Sequence, residues 1–179
     1  MTGRNADAPV AGLLPVSVET LMLRADAGGW SYRRTVTVPV PGETPDQAAR
    51  RACGVDADAA ATVVHSTSWR YLPEGRIVLT YAVCPDPAPR LPGIRLATLE
   101  IARGVKPAEP APPRVRVADV AAHAVRHLAS LTVTDPVVRR ALAGCPEIRT
   151  ALADLTPASP GPGGGRRRGA FVERGDAQP

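Results

Sequence analysis

The stretch WSYRRTVTVPVPGETPDQAARRACGV, residues 30–55, changes its periodicity once, at Pro41–Gly42. Before that point Trp30, Tyr32, Arg34, Val36 and Val38 alternate with Ser31, Arg33, Thr35 and Thr37. A period of two places these sets on opposite faces of a strand. After it, Thr44 is suited to an N-cap, Pro45 to the first helical position and Gln47 to closing a Thr-x-x-Gln capping box, while Gly54 supplies a C′ stop. The helix so delimited has about nine residues, or roughly 14 Å at 1.5 Å per residue. Asp46 and Arg50 pair at i, i+4 on its exposed side. A strand that runs into a short capped helix is the start of an α+β fold.

Upstream, Ser17–Arg24 (SVETLMLR) is a β run, and Ala25–Gly29 makes the turn between the two strands. Downstream, Ala61–Tyr71 and Arg76–Cys84 form a hairpin across Leu72–Gly75, where Pro73 and Gly75 carry the turn. Alternation puts Val63, His65, Thr67, Trp69 and Tyr71 on one face of the first hairpin strand, and Ile77, Leu79, Tyr81 and Val83 on one face of the second. Ile94–Gly104 is a further edge-strand candidate. Val105–Arg114 is too rich in proline for regular structure. From Val117 the period becomes 3.6, with Val117, Val120, Ala121, Ala124, Val125 and Leu128 on one stripe of a helix. Asp135 caps a second helix, PVVRRALAG, and PEIRTALADL runs to Leu155. These helices are expected to cover a sheet face. The organisation predicted is one domain over residues 15–155, with the linker 105–114 inside it. A flexible N-terminus (1–14) and a disordered Gly/Pro/Arg tail (156–179) flank it.

Composition narrows the function classes. A chain of 179 residues closes one core, since a domain near this size buries roughly 70% of its unfolded surface. No run of about 18 apolar residues crosses a membrane, and the start MTGRNADAP lacks the basic-then-apolar pattern of a signal peptide. A cytoplasmic protein is expected. The charge is +5, yet Lys106 is the single lysine and four arginines (Arg166, Arg167, Arg168, Arg174) fall in the tail. Arginine excess with abundant Ala, Pro and Gly matches a high-GC bacterial genome, and no aromatic-interleaved basic face is evident, which argues against a nucleic-acid partner. Cys53, Cys84 and Cys145 are far apart and unpaired by spacing, as apolar fillers are.

Pro41–Gly42–Glu43–Thr44–Pro45 followed by Ala48–Ala49–Arg50–Arg51, set between strands, resembles the Nudix hydrolases. Their motif is GX5EX7REUXEEXGU. The similarity spans roughly residues 16–102. Glu43 falls on the first Glu and Arg51 on the Arg, but Thr37 stands at the first Gly, Ala52 replaces the next Glu, and the turn carrying the remaining two is absent. The resemblance implies an α+β fold: a Nudix-like mixed β-sheet with a short helix after the second strand and C-terminal helices packed on the sheet. It also implies magnesium or manganese held by glutamates on a pyrophosphate, chemistry that needs several oxygen ligands. Those ligands are missing, so a pseudoenzyme that binds an unknown small molecule, nucleotide-like or otherwise, or a protein partner is expected, without a cofactor. An atypical hydrolase of a nucleoside-diphosphate-linked substrate would rely on Glu43 and Asp46. A third reading is an interaction protein that forms a homodimer through its sheet edge or C-terminal helices.

The candidate ligand-binding residues are Arg34, His65, Trp69, Arg76 and Tyr81, set by the strand pattern on the sheet face where such folds bind ligands. The alternative makes Trp69 and Tyr71 core side chains with His65 hydrogen-bonded among them. His65 and Ser66 cannot form a nucleophile pair, since strand neighbours point to opposite faces. His123 and His127 stand at i, i+4 with Asp119 one turn earlier, but no third metal ligand is indicated, and no metal site is expected.

Overall fold

The computed structural model describes residues 15–108 and 111–155; the readings made for residues 1–14 and 156–179 fall outside them. The chain is α+β. Its elements are β1 (Val16–Asp26), β2 (Gly29–Thr37), α1 (Pro45–Cys53), β3 (Val63–Leu72), β4 (Arg76–Cys84), β5 (Ile94–Arg95), α2 (Val117–Thr134), α3 (Pro136–Ala141) and α4 (Pro146–Ala153). The strands form one mixed sheet in the order β3-β4-β1-β2-β5. The hairpin β1–β2 is antiparallel, and α1 carries the chain across to the far edge. The hairpin β3–β4 then returns so that β4 lies parallel to β1.

β1 is central and covered on both faces, and its residues Ser17–Leu23 are all buried. A strand in that position reads as a near-continuous apolar run, which makes the three polar exceptions, Ser17, Glu19 and Thr20, notable, Glu19 most of all because it is ionisable. On one face Val18 and Tyr81 pack against Ala48 and Ala49 of α1. The two alanines are fully buried; their small side chains let the helix lie close to the sheet. On the other face Leu21, Leu23, Trp30, Tyr32, Ala82 and Cys84 meet Val120, Ala124, Val125, Leu128, Ile148 and Leu152 from α2 and α4. The C-terminal helices therefore share the core of the sheet.

The local signals at α1 are realised atom by atom. Thr44 Oγ1 accepts the Gln47 amide (3.2 Å), Gln47 Oε1 accepts the Thr44 amide (2.9 Å), and Gly54 closes the helix at φ 69°. Asp135 caps α3 by accepting the amide of Val137 at 2.7 Å.

Three expectations are corrected. The edge strand proposed for Ile94–Gly104 contracts to Ile94–Arg95, opposite Ser31 and Tyr32 of β2; the chain then leaves the sheet edge. The strand alternation read through Val38 ends at Thr37, and Val36 (45%) and Val38 (61%) are exposed, because the helical layer covers the half of the sheet around Trp30 and Tyr32. The third is the face shared by Val63, His65, Thr67, Trp69 and Tyr71. Ser66 pairs with Tyr81 and Ser68 with Thr80, so Thr67 is an extra residue in β3. A β-bulge of this kind reverses the alternation beyond it. Val63 and His65 stay with Ala82 and Cys84 on the α2 side, whereas Trp69 and Tyr71 pair with Leu79 and Ile77 on the α1 side. The nine-residue α1 does not reach that end of the hairpin. Trp69 is 69% and Tyr71 55% exposed, and neither is a core side chain.

Candidate ligand-binding site

The α2-facing side of the sheet carries a charged cluster beside an open cleft. Glu19 is completely buried in the middle of β1, where a bare carboxylate would be strongly disfavoured. Arg70 of β3 grips it with both Nη atoms, at 2.7 and 2.9 Å. Arg34 Nε donates to it from β2 at 2.6 Å. The hydroxyl of Thr80 donates at 3.1 Å, and Arg70 Nη1 also donates to Thr80 Oγ1 at 3.2 Å. Burial pushes the Glu19 pKa up, and the hydrogen bonds and charges of Arg70 and Arg34 more than reverse that; the net position is below the ordinary carboxylate value.

Next to Arg70 the first two turns of α2 stand off the end of β3 and leave a cleft of ≈ 220 Å³. Ser68, Trp69 and Arg70 line it from the strand, Asp119 and His123 from the helix, and Ile101, Ala102, Pro112 and Val115 from the connecting segment. Asp119 is already neutralised: Arg116 donates to it from Nη2 at 2.8 Å and from Nε at 3.2 Å.

His123 also joins a column of imidazoles. His65 of β3 stacks on His127 with ring centroids 5.3 Å apart, and His123 lies 6.3 Å from His127. All three histidines of the chain thus meet where α2 crosses β3. His127 Nε2 is buried and meets no hydrogen-bond partner among the described residues. Desolvation, then the neighbouring His65 and His123, hold the His127 pKa below its ordinary value. Among the described residues no three His, Cys, Asp or Glu side chains are placed to hold a metal ion.

The residues singled out from sequence separate. Arg34 is in the Glu19 cluster, His65 is in the imidazole column, and Trp69 borders the cleft from the opposite side of the edge strand. Arg76 is exposed at the hairpin tip opposite Leu72. Tyr81 is 8% exposed on the α1 side, so the sheet itself lies between it and Arg34 and His65. Glu43 lies far from the cleft in the loop before α1. Arg51 donates to both of its oxygens, at 2.7 and 2.8 Å, and the Val40 amide adds a third bond at 2.9 Å. The Arg51 guanidinium, then that amide, hold its pKa down at about 2. Asp46 is taken by Arg50 at 3.1 Å.

Sequence reading passed over Glu19, Arg70 and Thr80. The available signal was Glu19 itself, an ionisable residue inside an apolar strand, which must be paired when that strand is central. A second buried carboxylate, Asp86, is held by Arg33 at 2.6 and 2.9 Å and accepts the Ala88 amide at 2.9 Å, which anchors the loop after β4. Among the described residues no helix is long and apolar enough to cross a membrane. Comparison with known proteins finds no matching family, no similar curated protein and no similar solved structure.

Proposed function

We propose that this chain is a non-catalytic binding domain of Nudix-like ancestry that takes a nucleotide-like or other small ligand in the cleft between β3 and α2. The cleft carries the reading. It sets an apolar wall against a few convergent polar side chains, Arg70, Asp119 and His123, beside a buried ion cluster. That combination is the usual make-up of a small-molecule site. The order strand, strand, capped helix, strand, strand supports the ancestry, as does the Glu43–Arg51 pair joining the loop before α1 to its last turn. The atypical-hydrolase alternative loses support from the same pair. Both Glu43 oxygens are engaged by one guanidinium, so binding a cation there would require breaking that contact.

Thermal-shift screening of nucleotides, sugar phosphates and organic acids tests the binding reading. A ligand that stabilises the native chain, but not an Ala102→Trp variant whose cleft is filled, is the expected result. A magnesium-dependent hydrolysis screen over nucleoside-diphosphate-linked substrates, run beside Glu43→Ala, tests the other. Turnover that disappears in the variant would overturn the non-catalytic reading.

One observation favours a second reading, self-association. β3 is an edge strand that carries exposed Trp69 and Tyr71, and unprotected edges recruit further strands. A concentration-dependent mass in light scattering that Trp69→Glu returns to the monomer would support it.

A further inference from the structure

The charges around the cleft do not balance. Glu19 offers one negative charge to two guanidiniums, those of Arg34 and Arg70. Asp119 lends nothing, since Arg116 already holds it on both oxygens. One positive charge is therefore in excess, and Arg70 is the member of the cluster that lines the cleft. A guanidinium has five N–H donors. Arg70 commits three of them, two to Glu19 and one to Thr80. Its Nε–H and one Nη2–H meet no partner among the described residues. The rest of the lining is largely apolar: Ile101, Ala102, Ala111, Pro112 and Val115. At ≈ 220 Å³ the space exceeds the roughly 150 Å³ of an apolar cavity that takes up benzene.

We propose that the cleft receives a small organic acid, its ring or chain against Ile101, Ala102, Pro112 and Val115 and its carboxylate on the uncommitted donors of Arg70. This rests on the binding reading above and adds the ligand's charge and size. Charge-assisted bonds to a guanidinium are the stronger class of hydrogen bond and favour planar anions. Glu19 then has a second effect besides neutralising Arg34 and Arg70. By occupying one edge of Arg70 it lowers the affinity for any incoming anion, so removing its charge strengthens binding.

The test uses a matched pair, 4-fluorophenylacetate and 4-fluorophenylacetamide, titrated into the full chain and followed by ¹⁹F NMR. The acid is expected to bind about tenfold tighter than the amide, the margin typical of one charged hydrogen bond. Arg70→Gln should erase that margin. Glu19→Gln should tighten the acid severalfold and leave the amide unchanged, an outcome that mere structural damage does not produce. Should either variant fail to fold, salt serves on the native chain: rising ionic strength weakens the acid and spares the amide. Equal binding of acid and amide overturns the anion inference while the cleft reading stands. Binding of neither overturns both.

Discussion

The Nε2–H of His123 donates to the carbonyl oxygen of Thr67 at 3.3 Å, and Thr67 is the residue that the pairing of β3 with β4 skips. A bulge leaves its extra residue outside the ladder, and a backbone carbonyl left without a partner is costly. Helix α2 supplies the partner. The same side chain borders the cleft and ends the imidazole column, so one histidine joins strand irregularity, helix docking and candidate site.

Stability should fall between pH 7 and 5 because of His127. Its folded pKa is below the ordinary 6.5, through desolvation first and then His65 and His123. The unfolded chain therefore takes up the proton first as pH drops. The contribution is complete above 6.5, declines below it, and levels off once pH passes the folded pKa. Urea unfolding at half-unit steps should show this slope, and His127→Gln should flatten it. An unchanged slope would remove His127 as its source.

Arg70→Met should destabilise the fold by roughly 2–3 kcal/mol, since it leaves a buried carboxylate short of its main partner. Arg34→Met should cost less, because the Arg34 side chain is 41% exposed and an ion pair with an exposed member is weakened by solvent screening. Glu19 adds an acid limb of opposite origin. Its folded pKa lies below the ordinary 4.5, so its stabilisation is complete above about that pH and is lost as pH falls through the folded value. Equilibrium unfolding of both variants at pH 7 and pH 4 decides the ranking.

The two tryptophans should behave in opposite ways. Trp30 is 4% exposed in the main core, and Trp30→Ala should cost about 3–5 kcal/mol. Trp69 is mostly exposed, and Trp69→Ala should change stability by no more than about 0.5 kcal/mol. Iodide should quench the emission that remains in Trp30→Phe and leave that of Trp69→Phe largely intact. Equal quenching would contradict the bulged register.

Helix α1 should depend on its ends. Thr44→Ala removes the cap to Gln47 and should cost about 1 kcal/mol. Gly54→Ala forces a Cβ into a left-handed backbone at φ 69° and should also cost about 1 kcal/mol. Thermal unfolding of the two single variants, each normalised to the native chain, checks both values.

Legibility in the sequence followed the range of the interaction. The α1 caps depend on residues three to ten apart, and Thr44, Pro45, Gln47 and Gly54 were all readable. The α2 stripe was readable for the same reason: Val120, Ala121, Ala124, Val125 and Leu128 repeat within one helix. Trp69 was misplaced because a bulge leaves no local mark; Thr67 looks like any strand residue until β4 is set beside it. The Glu19 cluster was missed because its members lie 15, 51 and 61 residues from it, and only the sheet order makes them neighbours.

The sequence by itself determined where the chain turns, where its helices begin, and that the PGETP-led helix lacks the run of glutamates of a metal-dependent hydrolase. Hydrogen bonds and periodicities spanning a few residues need no partner segment, so they can be read from composition in order. Only the tertiary structure decided which face Trp69 occupies, that Glu43 is closed off by Arg51, and that Arg34, Arg70 and Thr80 converge on Glu19 beside a cleft. Those outcomes depend on strands brought together across the sheet, where the pairing of distant backbones, and not any local preference, sets which side chains meet.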